Sequence, residues 1–158
     1  MKYFVSLLLF IATLSSCSTY KPPRDHNVMN ERLISVSYED CWKKSIQWLS
    51  DKEIQIKNTD KSNGLIVAEG KLDKLSGLKW SFSEGVEVDN RIGDCGKNMI
   101  GQFNPQGVSV NIIITPKDSV TKVRINLEFS NIVPQPAIPM QCNSTGLLEN
   151  DFFSYLTK

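Results

Sequence analysis

Between Gly107 and Ser130 the chain alternates so regularly that it admits little besides an antiparallel β-hairpin with one wet face. Val108, Val110, Ile112 and Ile114 occupy every second position with more polar neighbours between them, Ile113 excepted. A turn over Pro116–Ser119 follows. Val123, Ile125, Leu127 and Phe129 then alternate with Lys122, Arg124, Asn126 and Glu128. A period of two with one charged face is the mark of an antiparallel strand that packs its apolar side on a core and leaves the other to water.

Helical periods flank this hairpin. Leu33–Val36 reads as a short strand feeding a helix over Tyr38–Lys52, with Ser37 as N-cap, Asp40 three residues on, and Val36 stapled against Cys41. Tyr38, Cys41, Trp42, Ile46 and Leu49 form its apolar stripe, Trp48 sits at the edge, and Lys43, Lys44 and Gln47 face away. Aromatic residues at such spacing belong to a core. Glu53–Lys57 alternates as a strand, Asn58–Gly64 is a polar turn, and Leu65–Gly70 returns as the partner strand. The turn places Asn58, Asp60, Ser62 and Glu69 in a calcium-loop register, but Asn63 stands where that loop needs glycine and the flanks are strands, so a calcium site is not expected. Near the end of the sequence, Ser144 or Thr145 caps a last helix over Thr145–Thr157 with Leu148, Phe152, Tyr155 and Leu156 inward. Val133–Met140 carries Pro134, Pro136 and Pro139 and is expected as an extended connection outside the sheet. The predicted class is α+β: an antiparallel sheet with two helices on one face, in the order β-α-β-β-β-β-α.

Between Gly70 and Gly107 glycines at 77, 85, 93, 96 and 101 interrupt every pattern, although Leu78, Trp80 and Phe82 alternate briefly. A long connection within a domain of this size is more often functional than a spacer. Trp80, Phe82, Met99 and Phe103 are therefore the expected interaction surface.

The first residues carry a different message. Lys2, the apolar run Tyr3–Leu14 and the small residues Ser15 and Ser16 form a secretory leader too short to span a bilayer. Leu14-Ser15-Ser16-Cys17 resembles the bacterial lipobox, in which an aliphatic and two small residues precede the cysteine that is lipidated. The resemblance implies cleavage after residue 16, a diacylglyceryl, palmitate-type lipid on Cys17 as the new N-terminus, and attachment to a membrane. Ser18 stands where the inner-membrane retention signal places Asp, which favours the outer membrane. Residues 18–31 are polar, include Pro22-Pro23 and read as a flexible tether about 45 Å long when extended. The domain boundaries expected are thus 1–16 leader, 17–31 lipidated tether and 32–158 a single periplasm-facing domain.

Loss of the leader removes one lysine and no acid, leaving 17 basic against 17 acidic residues and a net charge of zero. Such a balance gives no reason to expect nucleic acid as a partner. The partners expected are the membrane, through Cys17, and a protein of the envelope. Cys41, Cys95 and Cys142 remain, in an oxidising compartment. Cys41 lies in an apolar helical stripe, whereas Cys95 and Cys142 lie in polar, turn-like stretches, so the expected bridge is Cys95–Cys142. It closes a loop of about 47 residues, worth at most about 4 kcal/mol in the chain-entropy model.

Catalytic patterns are missing. No G-x-S-x-G, P-loop, G-x-G-x-x-G, H-E-x-x-H or C-x-x-C occurs, and the single histidine, His26, falls in the tether. Cys41 as a nucleophile, or carboxylate pairs such as Glu84 with Glu87, or Asp89 with Asp94, are the residual enzymatic options. No enzyme, cofactor or metal is expected.

The block Val36-Ser37-Tyr38-Glu39-Asp40-Cys41-Trp42 through Asp60 to Gly64-Leu65-Ile66-Val67, together with the lipobox, is similar to the BamC-like (NlpB) group of outer-membrane lipoproteins. That resemblance covers roughly 40 residues plus the anchor. It implies a helix packed on an antiparallel sheet and an accessory role in an outer-membrane assembly complex. The present chain has room for one such domain rather than two, and adds the Cys95/Cys142 pair. The function expected is an interaction or scaffolding module of the cell envelope. The alternative is a small-ligand or lipid carrier, with Trp42, Trp48, Trp80 and Phe82 lining a cavity between helices and sheet.

Overall fold

A computed structural model describes residues 20–71, 92–98, 101–102, 105–134 and 137–158. In chain order the elements are β1 (Glu31–Ile34), α1 (Tyr38–Asp51), β2 (Gln55–Asp60), β3 (Leu65–Lys71), β4 (Gly93–Asp94), β5 (Lys97–Asn98), β6 (Gly101–Gln102), β7 (Gly107–Lys117), β8 (Val120–Pro134), β9 (Ala137–Ser144) and α2 (Leu147–Thr157). The class is α+β, as the periods require, and every pairing is antiparallel.

The main sheet runs β2-β3-β7-β8-β9-β4. Strand β8 organises it. One of its edges takes β7 over its length, while the other takes β1 opposite Thr121–Arg124 and then β9 opposite Phe129–Pro134. A strand this long thus carries two partners end to end on one edge. Alternation decides which face is dry: Val108, Val110, Ile112, Ile114, Val123, Ile125 and Phe129 are buried with Ile66 and Ala68, and both helices pack on that side.

Helix α1 starts as its sequence requires. Ser37 is extended and its hydroxyl accepts the Asp40 amide at 3.1 Å, while donating to the Asp40 carboxylate at 2.7 Å. At the other end Glu53 takes a left-handed conformation (φ 56°), its amide reaching Ser50 and that of Ile54 reaching Leu49. This closing turn is why the strand expected from Glu53 begins at Gln55. The buried face differs from the expected stripe, comprising Cys41, Trp42, Ser45, Trp48 and Leu49, with Ile46 only partly covered. Helix α1 has two neighbours, the sheet and α2. Trp48 fills the seam between the helices, edge-on to Phe152 at 5.0 Å, with its indole N–H donated to Asp151 at 2.9 Å.

Strand β1 also departs from the sequence reading, running Glu31–Ile34 rather than Leu33–Val36 because its partner is Thr121–Arg124 of β8. Strand β2 continues to Asp60 because a bulge between Ile56 and Asn58 resets its register, which leaves Lys61–Gly64 as the turn. Helix α2 begins at Leu147 and its N-cap is Gly146, left-handed at φ 85°, while Ser144 ends β9 and accepts the Gly146 amide. Backbone direction, not a capping side chain, governs that junction, since a positive φ favours glycine. The proline-rich stretch, expected outside the sheet, pairs with it: Ile132 opposes Pro139 and Pro134 opposes Ala137. Among the described residues β4 pairs with β9 at Asn143 and Ser144 and no strand pairs with its outer edge at Pro139, so there the missing proline N–H costs no ladder bond among them.

Candidate functional site

The Cys95–Cys142 bridge forms as expected, with a Cα–Cα distance of 4.1 Å. Residues 92–96 around it are all buried. Gly93 and Asp94 pair with Ser144 and Asn143, and a side chain at position 93 would press on Phe129 and Pro105 at 3.1 Å. The result is a rigid corner at the free side of β9.

Asp94 stands at the centre of this corner with only 3 % of its side chain exposed. Its Oδ1 accepts the Gly96 amide at 2.8 Å. Its Oδ2 accepts the Arg24 amide at 3.2 Å and the Arg24 Nε–H at 3.3 Å, and lies 3.4 Å from His26 Nε2. Burial pushes the carboxyl upward, but the amides of Gly96 and Arg24, the guanidinium and His26 outweigh it, so its pKa falls below the usual aspartate range. A carboxylate held so is a fastening rather than a proton acceptor.

Segment 20–30, expected as a tether, is therefore part of the domain. Tyr20 donates its hydroxyl to the Cys95 carbonyl at 3.3 Å, and Asn143 donates to the Arg24 carbonyl at 2.9 Å. The Ile125 amide reaches the Asn30 carbonyl at 2.8 Å, next to a side-chain bond between Asn30 and Asn126. The chain passes so close to Gly96 (φ 78°) that a Cβ there would stand 2.3 Å from the Lys21 carbonyl oxygen. Polar residues without a period suggested a loose segment; distant partners order it. His26, assigned no role from its position, is one of those partners' contacts.

Other expected groups fall as follows. Cys17, Trp80, Phe82, Met99 and Phe103 lie outside the described residues, as do Glu84, Glu87 and Asp89. Cys41 is the free cysteine of the described residues, fully buried, with its thiol pushed above the ordinary range by burial. Asp60 uses its carboxylate to close the Lys61–Gly64 turn, accepting from Ser62 at 2.6 Å and from the Asn63 side chain at 2.7 Å. Trp42 and Trp48 are core residues.

Surface clefts are present among the described residues. One of about 470 Å³ is bordered by Glu69, Gly70, Gly107, Ser109, Glu128 and Gln141, at the end of β3 and β7. Another, of about 330 Å³, lies over the helices between Lys43, Lys44, Gln47, Tyr155 and Lys158. Lys44 there donates to the Leu156 carbonyl at 2.9 Å, at the negative end of α2. Neither cleft is bordered by Trp42 or Trp48, two of the four residues a carrier cavity was expected to use, and the other two, Trp80 and Phe82, lie outside the described residues.

Sequence reasoning missed the Arg24–His26–Asp94 cluster. Its one local signal was a carboxylate placed directly before a bridged cysteine; nothing in spacing connects residues 70 positions apart. Compared with known proteins, the chain matches no family model and no curated protein sequence.

Proposed function

We propose that this protein is a lipid-anchored component of a bacterial cell envelope that works by binding another envelope protein, as an interaction or scaffolding module accessory to an outer-membrane assembly complex. The observation that carries this reading is the buried Cys95–Cys142 bridge in a chain whose leader-like segment closes on Leu14-Ser15-Ser16-Cys17. A stable disulfide belongs to exported proteins, and the lipobox resemblance supplies both the export route and the anchor. The helix-on-sheet architecture accords with the BamC-like resemblance, although a fold alone does not carry a function.

Binding is favoured over catalysis by how the reactive groups among the described residues are employed. Asp94 fastens a strap, Cys41 is enclosed, and Asp51 accepts from Gln47 and Tyr155. The partner-facing surface is assigned to the glycine-punctuated stretch 77–107, with Trp80, Phe82, Met99 and Phe103 as its apolar contacts.

The test is cross-linking in intact cells, comparing tagged wild-type protein with Cys17→Ala and identifying captured proteins by mass spectrometry. A specific envelope protein captured by the wild type and lost in Cys17→Ala supports the reading. Membrane-bound wild-type protein that captures nothing above background overturns it.

A further inference from the structure

The disulfide corner carries a second consequence, which rests on the lipid-anchor reading of Cys17. We infer that this corner, with residues Tyr20–Arg24 strapped over it, is the membrane-facing end of the domain and is seated against the phospholipid headgroups. The domain is held at the lipid surface in one orientation instead of swinging from a leash.

Chain length decides between the two. A free segment from Cys17 to Glu31 would let the domain stand about 45 Å away. The strap removes that freedom, because Tyr20 is fastened to Cys95, Arg24 to Asp94 and Asn143, and Asn30 to Ile125 and Asn126. Only three peptide steps separate Cys17 from Tyr20. Fully extended they span at most about 10 Å. The headgroup layer on each side of a bilayer is about 5–8 Å thick. A lipid attached at Cys17 has its glycerol at the inner boundary of that layer, so most of the 10 Å is used in crossing it.

The chemistry of the corner suits such a surface. Tyr20 is 46 % exposed, so part of its ring faces outward while its hydroxyl is held by Cys95, and tyrosine rings are enriched at the headgroup level. Lys21 is exposed and Arg24 has 77 % of its side chain exposed despite its bond to Asp94, which leaves both cations open to phosphate, with Asp25 as the one exposed acid between them and His26. At the far end stand the Asp118–Ser119 turn and the Lys61–Gly64 turn, which meets β7 at Ile114. Phe129 opposes Cys142, and the nine residues back to Val120 place that far end about 30 Å from the bridge.

The inference can be tested on the full-length lipidated protein in vesicles of phosphatidylethanolamine and phosphatidylglycerol. A fluorophore is attached to Asp25→Cys or, separately, to Ser119→Cys, and quenched by headgroup-labelled nitroxide lipid. Intact mass reports the lipid on the same samples, and circular dichroism reports folding. Severalfold stronger quenching at position 25 than at 119 is expected. A Gly-Ser insertion of about ten residues after Ser18, adding roughly 17 Å of flexible reach, should erase the contrast. Equal quenching at both positions on protein carrying the lipid mass overturns the inference alone, as does a contrast that survives the insertion. Absence of lipid mass overturns the anchor reading and the inference with it.

Discussion

The Oδ2 atom of Asp94 accepts both the backbone amide and the Nε–H of Arg24, a residue 70 positions earlier in the chain. Two bonds from one residue fix direction as well as distance, and the disulfide next to Asp94 makes the acceptor immobile. The beginning of the domain is therefore tied to its β9 edge by a charge-assisted pair, strengthened by the low exposure of the carboxylate.

Asp94→Asn should lower stability by about 2 kcal/mol, the middle of the range for hydrogen bonds to a charged group. The pH dependence follows from a pKa lowered in the folded state. Stabilisation by Asp94 is complete above the unfolded value of about 3.9 and is lost as pH falls through the lower folded value. Urea unfolding between pH 2 and 7 should show the wild type and Asp94→Asn converging at the acid end. Curves that stay parallel throughout would count against the ionised pair.

Glu149 has the opposite sign. It is buried on the first turn of α2, its Oε2 atom has no hydrogen-bond partner among the described residues, and burial raises its pKa against the opposing bond from Ser144. The folded state thus favours the neutral acid, and its contribution to stability declines as pH rises from the unfolded value of about 4.3 through the raised folded one. Glu149→Gln should raise the melting temperature at pH 8 and leave it nearly unchanged at pH 4. Destabilisation at pH 8 would mean that the carboxylate has a buried partner.

Gly64 turns the β2–β3 hairpin at φ 66°, and a Cβ there would stand 1.9 Å from the Ile114 carbonyl oxygen, a backbone atom of the neighbouring strand. Gly64→Ala should cost about 3 kcal/mol through clash and strained backbone together. Gly70→Ala, whose Cβ would meet the flexible Ile54 side chain at 3.2 Å, should cost less than about 1 kcal/mol. Chemical denaturation of the two variants side by side checks the ordering.

Cys41 is enclosed and its thiol is raised by burial, so a water-soluble thiol reagent should leave the native Cys17→Ala protein unlabelled and modify one cysteine once it is unfolded without reductant. Reduction of Cys95–Cys142 should in addition open the Arg24–Asp25 bond to trypsin, because the strap loses the corner it is fastened to. Rapid labelling of the native thiol, or trypsin cleavage after Arg24 with the bridge intact, would refute the two halves of this prediction separately.

Local periods made much of the architecture legible. The β7–β8 alternation, the Ser37 cap and the stripe of α1 lie within short windows, and each element's preference agrees with its place in the fold. The disulfide was legible for a related reason: Cys41 sits in an apolar period and Cys95 and Cys142 do not. Boundaries were harder. A bulge near Lys57, a left-handed Glu53 and a glycine cap at Gly146 are single-residue backbone choices that leave no period behind.

Sequence alone determined the α+β class, the apolar face of the sheet, and the two cysteines left free to pair, because these depend on side-chain chemistry repeated at fixed intervals. Tertiary structure alone decided that Trp48 seals the seam against α2, that the proline-bearing stretch joins the sheet as the end of β8 and as β9, and that residues 20–30 are a strap rather than a leash. In each case the cause is a partner far away in the chain. A polar segment without a period is ordered or loose according to whether a buried acceptor such as Asp94 awaits it, and no local pattern encodes that.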